Sequence, residues 1–367
     1  MRYYVLAGEA SGDKQAALLC KAIFDHDPSA VIRGWGGEDM QHEGVVISKH
    51  YRDLAYMGFV EVVRHLPIIL RNFKMAKKEI TGFRPDALIL VDYPGFNLRM
   101  AAWAHKRGLR IYYYISPQLW AWHTSRVHAL KKAVRKIYVI LPSEKSFYAT
   151  YGVDAMYIGH PLAMAIQQKE SIHIEIKSNQ IALLPGSRRH EVNLILPEMI
   201  RLASLMPAYQ FVIVRVHHLP GSMYTEIIGT QNNVSISDHN MSDVLRESKV
   251  AIVTSGTATL ETALIGTLQV VVYKGNPFSY QIAKRLIKVP YISLVNLIAD
   301  KQLVPELIQG ACNAENMLKQ INKITDPEEE RKIKEEYRAL ASQLTSGGGP
   351  AAAAADIISD LGKEKLK

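Results

Sequence analysis

The feature that most limits what this chain can fold into is a recurring one. Short apolar runs are each followed by a turn of small or polar residues and then by a helix-like stretch. Ala87-Leu88-Ile89-Leu90-Val91 is the plainest example. An unbroken apolar run of this kind fits a strand covered on both faces, as in a parallel sheet. Residues 3–8, Val31–Gly37, Arg110–Ile115 and Lys136–Leu141 repeat the pattern in the first half. Gln180–Leu184, Gln210–Val216, Val250–Thr254 and Gln269–Tyr273 form a second series. Strands that alternate with helices read as βα units. The two series therefore predict two Rossmann-like α/β domains with parallel sheets, over 1–165 and 166–345. A C-terminal helix is expected over 346–367, with Pro350 near its first position after Gly347-Gly348-Gly349. The polar segment Gln167–Gln180 reads as the linker. A first helix is expected over Asp13–Phe24, capped by Ser11 or Asp13.

Composition bounds the function classes. The chain has 367 residues, 48% hydrophobic and 22% charged, which suits two ordinary cores and excludes a disordered chain. The two cysteines, Cys20 and Cys312, fit a reducing cytoplasm and argue against a disulfide framework or a structural zinc site. The apolar start Met1–Gly8 is too short for a signal peptide, and no run is long enough to span a bilayer. The net charge of +9 favours anionic partners. No RNA or DNA module accompanies it, so nucleic acid is not expected. Lys and Arg gather in two places. Within 61–80, Arg64, Arg71, Lys74, Lys77 and Lys78 interleave with apolar residues, and 123–136 is basic without an acid. Each stretch fits a solvated helix face, or an apolar and basic surface that touches anionic lipid.

Two motifs in the second half carry the strongest chemistry. Leu184-Pro185-Gly186-Ser187-Arg188 and Ser255-Gly256-Thr257-Ala258-Thr259-Leu260-Glu261 each follow an apolar run and enter a helix. They supply small-residue turns, backbone N–H groups, a guanidinium at Arg188 and a carboxylate at Glu261. A nucleoside diphosphate needs those groups for its phosphates and its ribose hydroxyls. In the first half, Glu9 lies on the first strand-to-helix turn, in Gly8-Glu9-Ala10-Ser11-Gly12-Asp13. Asp92 ends the buried run before Tyr93-Pro94-Gly95. Carboxylates at strand carboxyl ends sit where ligands and general bases are placed. The alternative for each is a turn-forming acid. Trp120 and Trp122 line a cleft or pack in the core. No dinucleotide fingerprint, P-loop, hydrolase elbow or metal spacing is present, and Asp25-His26-Asp27 reads as a helix stop before Pro28.

The ordered set of motifs resembles the lipid-A-disaccharide synthase family, inverting glycosyltransferases of GT-B architecture with a cleft between two Rossmann-like domains. The resemblance runs through Ala7–Asp13, Tyr56–Val62, Val91–Leu98, Ser116–Trp122, Gly159–Leu162, Leu184–Arg188, Ser255–Glu261, Tyr291–Asn296 and Val304–Gln309. It implies transfer of sugar from UDP-2,3-diacylglucosamine to 2,3-diacylglucosamine 1-phosphate, by a single displacement without cofactor or metal. By motif, Asp92 and Glu9 become catalytic candidates on the acceptor side. Gly186, Ser187, Arg188, Ser255, Gly256, Thr257, Glu261 and Asn296 become UDP-side candidates. Met57, Phe59, Leu66, Leu70, Phe73, Trp120 and Trp122 are candidates for the acceptor and its acyl chains. The implied partners are lipid-linked sugars and an anionic membrane surface, on the inner face of the cytoplasmic membrane, with a second copy of the chain as a candidate partner. Gly95 stands where the family usually has a second acid, which throws weight on Asp92 with Glu9 as the alternative base. Val295 replaces a commoner proline before Asn296. A UDP-sugar 2-epimerase and a non-catalytic UDP-sugar or lipid binding protein are the rival readings.

Overall fold

The computed structural model describes residues 1–54, 66–117, 119, 126–167, 177–216, 218–276 and 290–365. Met57, Phe59, Trp120 and Trp122 lie outside the described residues, and of Leu66 only the backbone is described. The chain forms two compact units, Met1–Pro161 with Leu344–Lys367, and Leu162–Gln343.

The first unit is built on a seven-stranded sheet in the order β3-β2-β1-β4-β5-β6-β7. Its strands are β1 (Arg2–Ala7), β2 (Val31–Gly36), β3 (Val46–His50), β4 (Ala87–Val91), β5 (Ile111–Tyr114), β6 (Lys136–Val139) and β7 (Ala155–Tyr157), all paired in parallel. Alternation along β1 and β4 divides the core in two. Tyr3, Val5, Ala7, Ile89 and Val91 face a cluster that includes the helix Ala10–His26. Tyr4, Leu6, Leu88 and Leu90 face a cluster with the helices Leu66–Phe83, Pro94–His105 and Arg126–Ala133. Both faces are covered, which is why β4 is apolar at every position.

The last helix, Gly349–Lys365, returns to this first unit. Ala353, Ala354, Ile357 and Leu361 are fully buried in the same cluster as the helix Ala10–His26. On its polar side, Asp356 accepts from Lys136 Nζ at 2.6 Å and Tyr138 OH at 2.9 Å. Asp360 accepts from Tyr112 OH at 2.6 Å and pairs with Arg135.

The second unit carries a six-stranded sheet in the order β10-β9-β8-β11-β12-β13. Its strands are β8 (Lys177–Leu184), β9 (Gln210–Val214), β10 (Val234–Ser237), β11 (Ser248–Thr254), β12 (Leu268–Tyr273) and β13 (Glu306–Ile308), again all parallel. Ala182 and Leu184 on β8 pack with Ala251 and Val253 on β11 at the centre of this unit.

One local expectation is corrected. Ser11 and Asp13 lie inside the first helix, whose N-cap is Glu9 with no side-chain cap bond. Asp13 is buried and turned to the next strand end, where it accepts from Gly37 N at 2.6 Å and Asp39 N at 3.1 Å. It thus ties the turn after β1 to the turn after β2. The Asp25-His26-Asp27 stretch does stop the helix, and Asp27 receives the amino group of Met1 at 2.8 Å.

Candidate functional site

In an open parallel sheet, ligands bind outside the carboxyl ends of the strands where the strand order reverses. In the first unit that point lies between β1 and β4. Glu9 comes two residues after β1, and Asp92 directly follows β4. Asp92 is half-buried. Burial first, and then the nearby charge of Glu9, raise its carboxyl pKa from 3.8 to about 6. A base that titrates there is ionised at neutral pH and still accepts a proton readily.

The backbone at this strand end is unusual. Asp92 has φ of 43° and Tyr93 of 50°, two consecutive side-chain-bearing residues in the left-handed region. Gly8 accommodates the turn, because a Cβ there would lie 2.4 Å from the Tyr93 ring. The Tyr93 ring stacks on Phe96, with 5.7 Å between centroids.

The apolar candidates of the first unit separate. Phe73 is buried and stacks on Phe96 at 4.1 Å, so it is a core residue and not an acyl contact. Leu70 is 58% exposed and Ile68 39%, on the same helix as the exposed Arg71 and Lys74. Gly95 is exposed, with open space where a side chain would stand.

In the second unit the strand order reverses between β8 and β11. A cavity of about 350 Å³ opens there, and its wall includes Gly186, Ser187, Arg188, Ser255, Gly256 and Thr257. The helix Thr257–Ile265 starts at this wall without a side-chain cap, and although Thr259 N turns back to Gly256 O at 3.2 Å, the opening N–H groups of a helix in general have no carbonyl one turn earlier to bond. Its macrodipole adds partial positive charge at the same place.

The other turn behaves differently from expectation. The N–H groups of Ser187 and Arg188 are not free: both donate to Glu191 Oε2, at 3.0 and 3.1 Å. Glu191 is the third residue of the helix Arg189–Leu205 and reaches back as the acid of a capping box does. Its other oxygen holds Arg188 Nη1 at 3.1 Å, while the Arg188 side chain stays 79% exposed. The guanidinium is thus tethered at the cavity wall with most of its surface open to an anion.

Two UDP-side candidates lie away from the cavity wall. Glu261 accepts from Ser242 Oγ at 2.8 Å and is half-buried. Asn296 is fully buried and its amide is spent on the protein, which corrects its assignment as a UDP contact. Its Nδ2 donates to Val304 O and Glu306 Oε1, both at 2.9 Å, and its Oδ1 accepts from Leu303 N and Val304 N. Glu306 also accepts from Ser293 N at 3.0 Å and Ser293 Oγ at 2.6 Å, and Ser255 Oγ donates to Ile292 O at 2.7 Å. Glu306 therefore holds Ile292 and Ser293, just ahead of the helix Leu294–Ala299 that carries Asn296, and Ile292 meets the Ser255 turn.

Glu191, Glu306 and Asn97 are the residues that sequence reasoning passed over. Glu191 carried a legible signal, an acid at the third helical position after a turn. Glu306 carried none, because its partners lie 10 or more residues away. Among the described residues no group of His, Cys, Asp and Glu is arranged to hold a metal ion, and no helix is long and apolar enough to cross a membrane.

The family described as lipid-A-disaccharide synthetase matches residues 3–353. A protein of Trichlorobacter lovleyi named lipid-A-disaccharide synthase is 36% identical over 371 residues, which cover 98% of this chain and 97% of that one. Among solved structures, the calicheamicin glycosyltransferase CalG4 superposes with a TM-score of 0.64 at 13% identity, over 99% of this chain and 98% of that chain. The UDP-GlcNAc 2-epimerase of Neisseria meningitidis gives 0.61 at 12% identity, over 99% of this chain and 100% of that chain. At such identities these two likenesses speak for the fold alone, that of two parallel-sheet α/β units.

Proposed function

This chain belongs to the lipid-A-disaccharide synthase family of glycosyltransferases, and from that premise we propose a reaction and a division of labour. The reaction is transfer of 2,3-diacylglucosamine from UDP to the 6-hydroxyl of 2,3-diacylglucosamine 1-phosphate, giving the β-1′,6-linked disaccharide 1-phosphate and UDP. The observation that carries it is Asp92, a carboxylate at the switch point of the first sheet with its pKa raised to about 6.

The acceptor oxygen attacks the anomeric carbon on the face opposite UDP, and the bond from that carbon to the diphosphate oxygen breaks. Asp92 takes the proton of the attacking hydroxyl. One well-placed base of this kind contributes about 10²–10⁴-fold. The electron pair leaves with UDP, whose growing negative charge meets Arg188 and the helix N-terminus at Gly256-Thr257. Glu191 keeps Arg188 at that place. The scheme assigns no step to a metal. Glu9 raises the basicity of Asp92 by its charge and is the second candidate for the base. Glu261 is the candidate for the ribose hydroxyls.

Both substrates carry acyl chains and anionic groups. The exposed Ile68 and Leu70, beside Arg71 and Lys74, support peripheral contact of the helix Leu66–Phe83 with the inner face of the cytoplasmic membrane.

The test is a two-substrate assay in mild detergent that follows UDP release and disaccharide mass. Wild type forms disaccharide; Asp92→Ala does not, and it retains UDP binding by calorimetry, whereas Arg188→Ala weakens both. UDP release without disaccharide would overturn the transferase reading, and loss of UDP binding in Asp92→Ala would overturn the division of labour. Flotation with liposomes tests the membrane contact. Binding that depends neither on anionic lipid nor on Leu70 would remove it.

A further inference from the structure

The left-handed turn at Asp92-Tyr93 has to be held by something, since each such residue costs of order 1–3 kcal/mol and persists only where the surroundings fix it. One buried side chain sits at the hub of this turn. Asn97 is fully buried, on the first turn of the helix Pro94–His105. Its Nδ2 donates to Asp92 O at 2.8 Å, Val91 O at 3.1 Å and Leu6 O at 3.3 Å. It thus gathers the carboxyl ends of β4 and β1, the two strands that flank the switch point. Its Oδ1 is buried and takes no hydrogen bond, so the bonding of this side chain runs through Nδ2 alone. A second donor meets the same carbonyl, because Tyr113 OH on β5 reaches Asp92 O at 2.7 Å. Burial and the charge of Asp92 push the Tyr113 phenol well above its usual range, so it stays a donor at any working pH.

We infer that Asn97, seconded by Tyr113, is a positioning residue for the transfer: it pins the Asp92 carbonyl so that the carboxylate is held beside Glu9, partly withdrawn from water. The inference rests on the reading of Asp92 as the base. Once the pin is removed, the turn relaxes out of the left-handed region and the carboxylate swings toward solvent. Asp92 then loses both its aim and the burial that raises its pKa.

The experiment is the pH dependence of kcat and of kcat/KM for both substrates in wild type, Asn97→Ala, Tyr113→Phe and Asp92→Asn, with UDP affinity measured by calorimetry. Asn97→Ala is expected to lower kcat by about 10- to 100-fold with little change in KM, as misplacement of a reacting group does. Its acidic limb should move from near pH 6 toward that of an ordinary carboxylate. Tyr113→Phe, which keeps the ring, should move both in the same direction by about 3- to 10-fold in kcat. UDP affinity should be unchanged in both. Tyr113→Phe decides the matter if Asn97→Ala does not fold. A wild-type kcat and limb in these variants, with Asp92→Asn inactive, would overturn the positioning role and leave the base assignment standing. A fall in kcat with the limb unmoved would overturn it too, because general loosening does only that. Full turnover in Asp92→Asn would instead remove the base assignment itself.

Discussion

Asp92 serves two ends that oppose each other. Its burial beside Glu9 makes it a better base and at the same time disfavours its charge, so catalysis and stability should respond to pH in opposite senses. The enzyme needs the ionised form. Activity should therefore fall as pH drops through about 6, the value to which burial and Glu9 raise the carboxyl. Glu9→Gln removes the neighbouring charge and should shift this acidic limb to lower pH, with Asp92 itself unaltered; a kcat/KM profile in half-unit steps reads it. For stability the sign is reversed. The folded-state pKa lies above the reference value of 3.8, so the folded state holds the proton more tightly than the unfolded state. The contribution of Asp92 is complete below about pH 4 and is lost as pH rises through about 6. Asp92→Asn, which also tolerates the left-handed backbone, should stabilise the protein at pH 7–8 by up to about 2 kcal/mol and by nothing at pH 4. Denaturant melts of the two proteins at both pH values measure it, and an equal gain at pH 4 would refute the electrostatic account.

At the scale of the element, the last helix offers a sharp contrast between two glycines. The chain enters it by running directly against the Ile158-Gly159 backbone, with Gly349 N donating to Ile158 O at 2.8 Å and His160 N to Leu344 O at 2.7 Å. A Cβ on Gly347 would stand 1.9 Å from Gly159 N, and backbone cannot step aside as a flexible side chain can. Gly362 lies inside the helix with nothing within 4 Å of an added Cβ. Gly347→Ala should therefore cost about 3 kcal/mol or more, and Gly362→Ala should gain about 0.5–1 kcal/mol from helix propensity. Thermal melts that moved in the same direction for both would contradict the packing described here. The same scale shows what could be read from residues alone. The strands legible as apolar runs, such as β1, β4, β8 and β11, are the ones with neighbours on both sides in the sheet. The four that escaped notice, β3, β7, β10 and β13, are the sheet edges. An edge strand needs few residues and little apolar cover: Val46-Ile47-Ser48-Lys49-His50 and Val234-Ser235-Ile236-Ser237 carry no run to recognise. The site divides in the same way. Arg188, Gly256 and Asp92 announced themselves because they follow strands. The roles of Asn97 and Glu306 come from carbonyls and amides brought together by the fold, and Phe73 joined the core because Phe96, 23 residues on, stacks against it.

In the whole molecule, the chain leaves the first unit at Pro161 and comes back to it at Leu344. The second unit is continuous in sequence, while the first depends on its far end. Without the last helix, the cluster on one face of the first sheet, which joins Tyr138 of β6 to Ala16 and Ile23 of the helix Ala10–His26, would lose the cover of Ala353, Ala354, Ile357 and Leu361, and Lys136 would lose its partner Asp356. The cavity with Arg188 and Gly256 draws every lining residue from the second unit. A chain ended after Gln343 should therefore separate the two halves of the chemistry. Turnover should vanish and the first unit should become protease-sensitive, while UDP still binds. Bound UDP should still protect the second unit, by about 2.7 kcal/mol at a hundredfold excess over Kd. Calorimetry with UDP and limited proteolysis with and without it test both arms on one preparation. Loss of UDP binding on truncation would mean that the nucleotide half of the reaction depends on the first unit, and the assignment of donor recognition to Leu162–Gln343 alone would have to be given up.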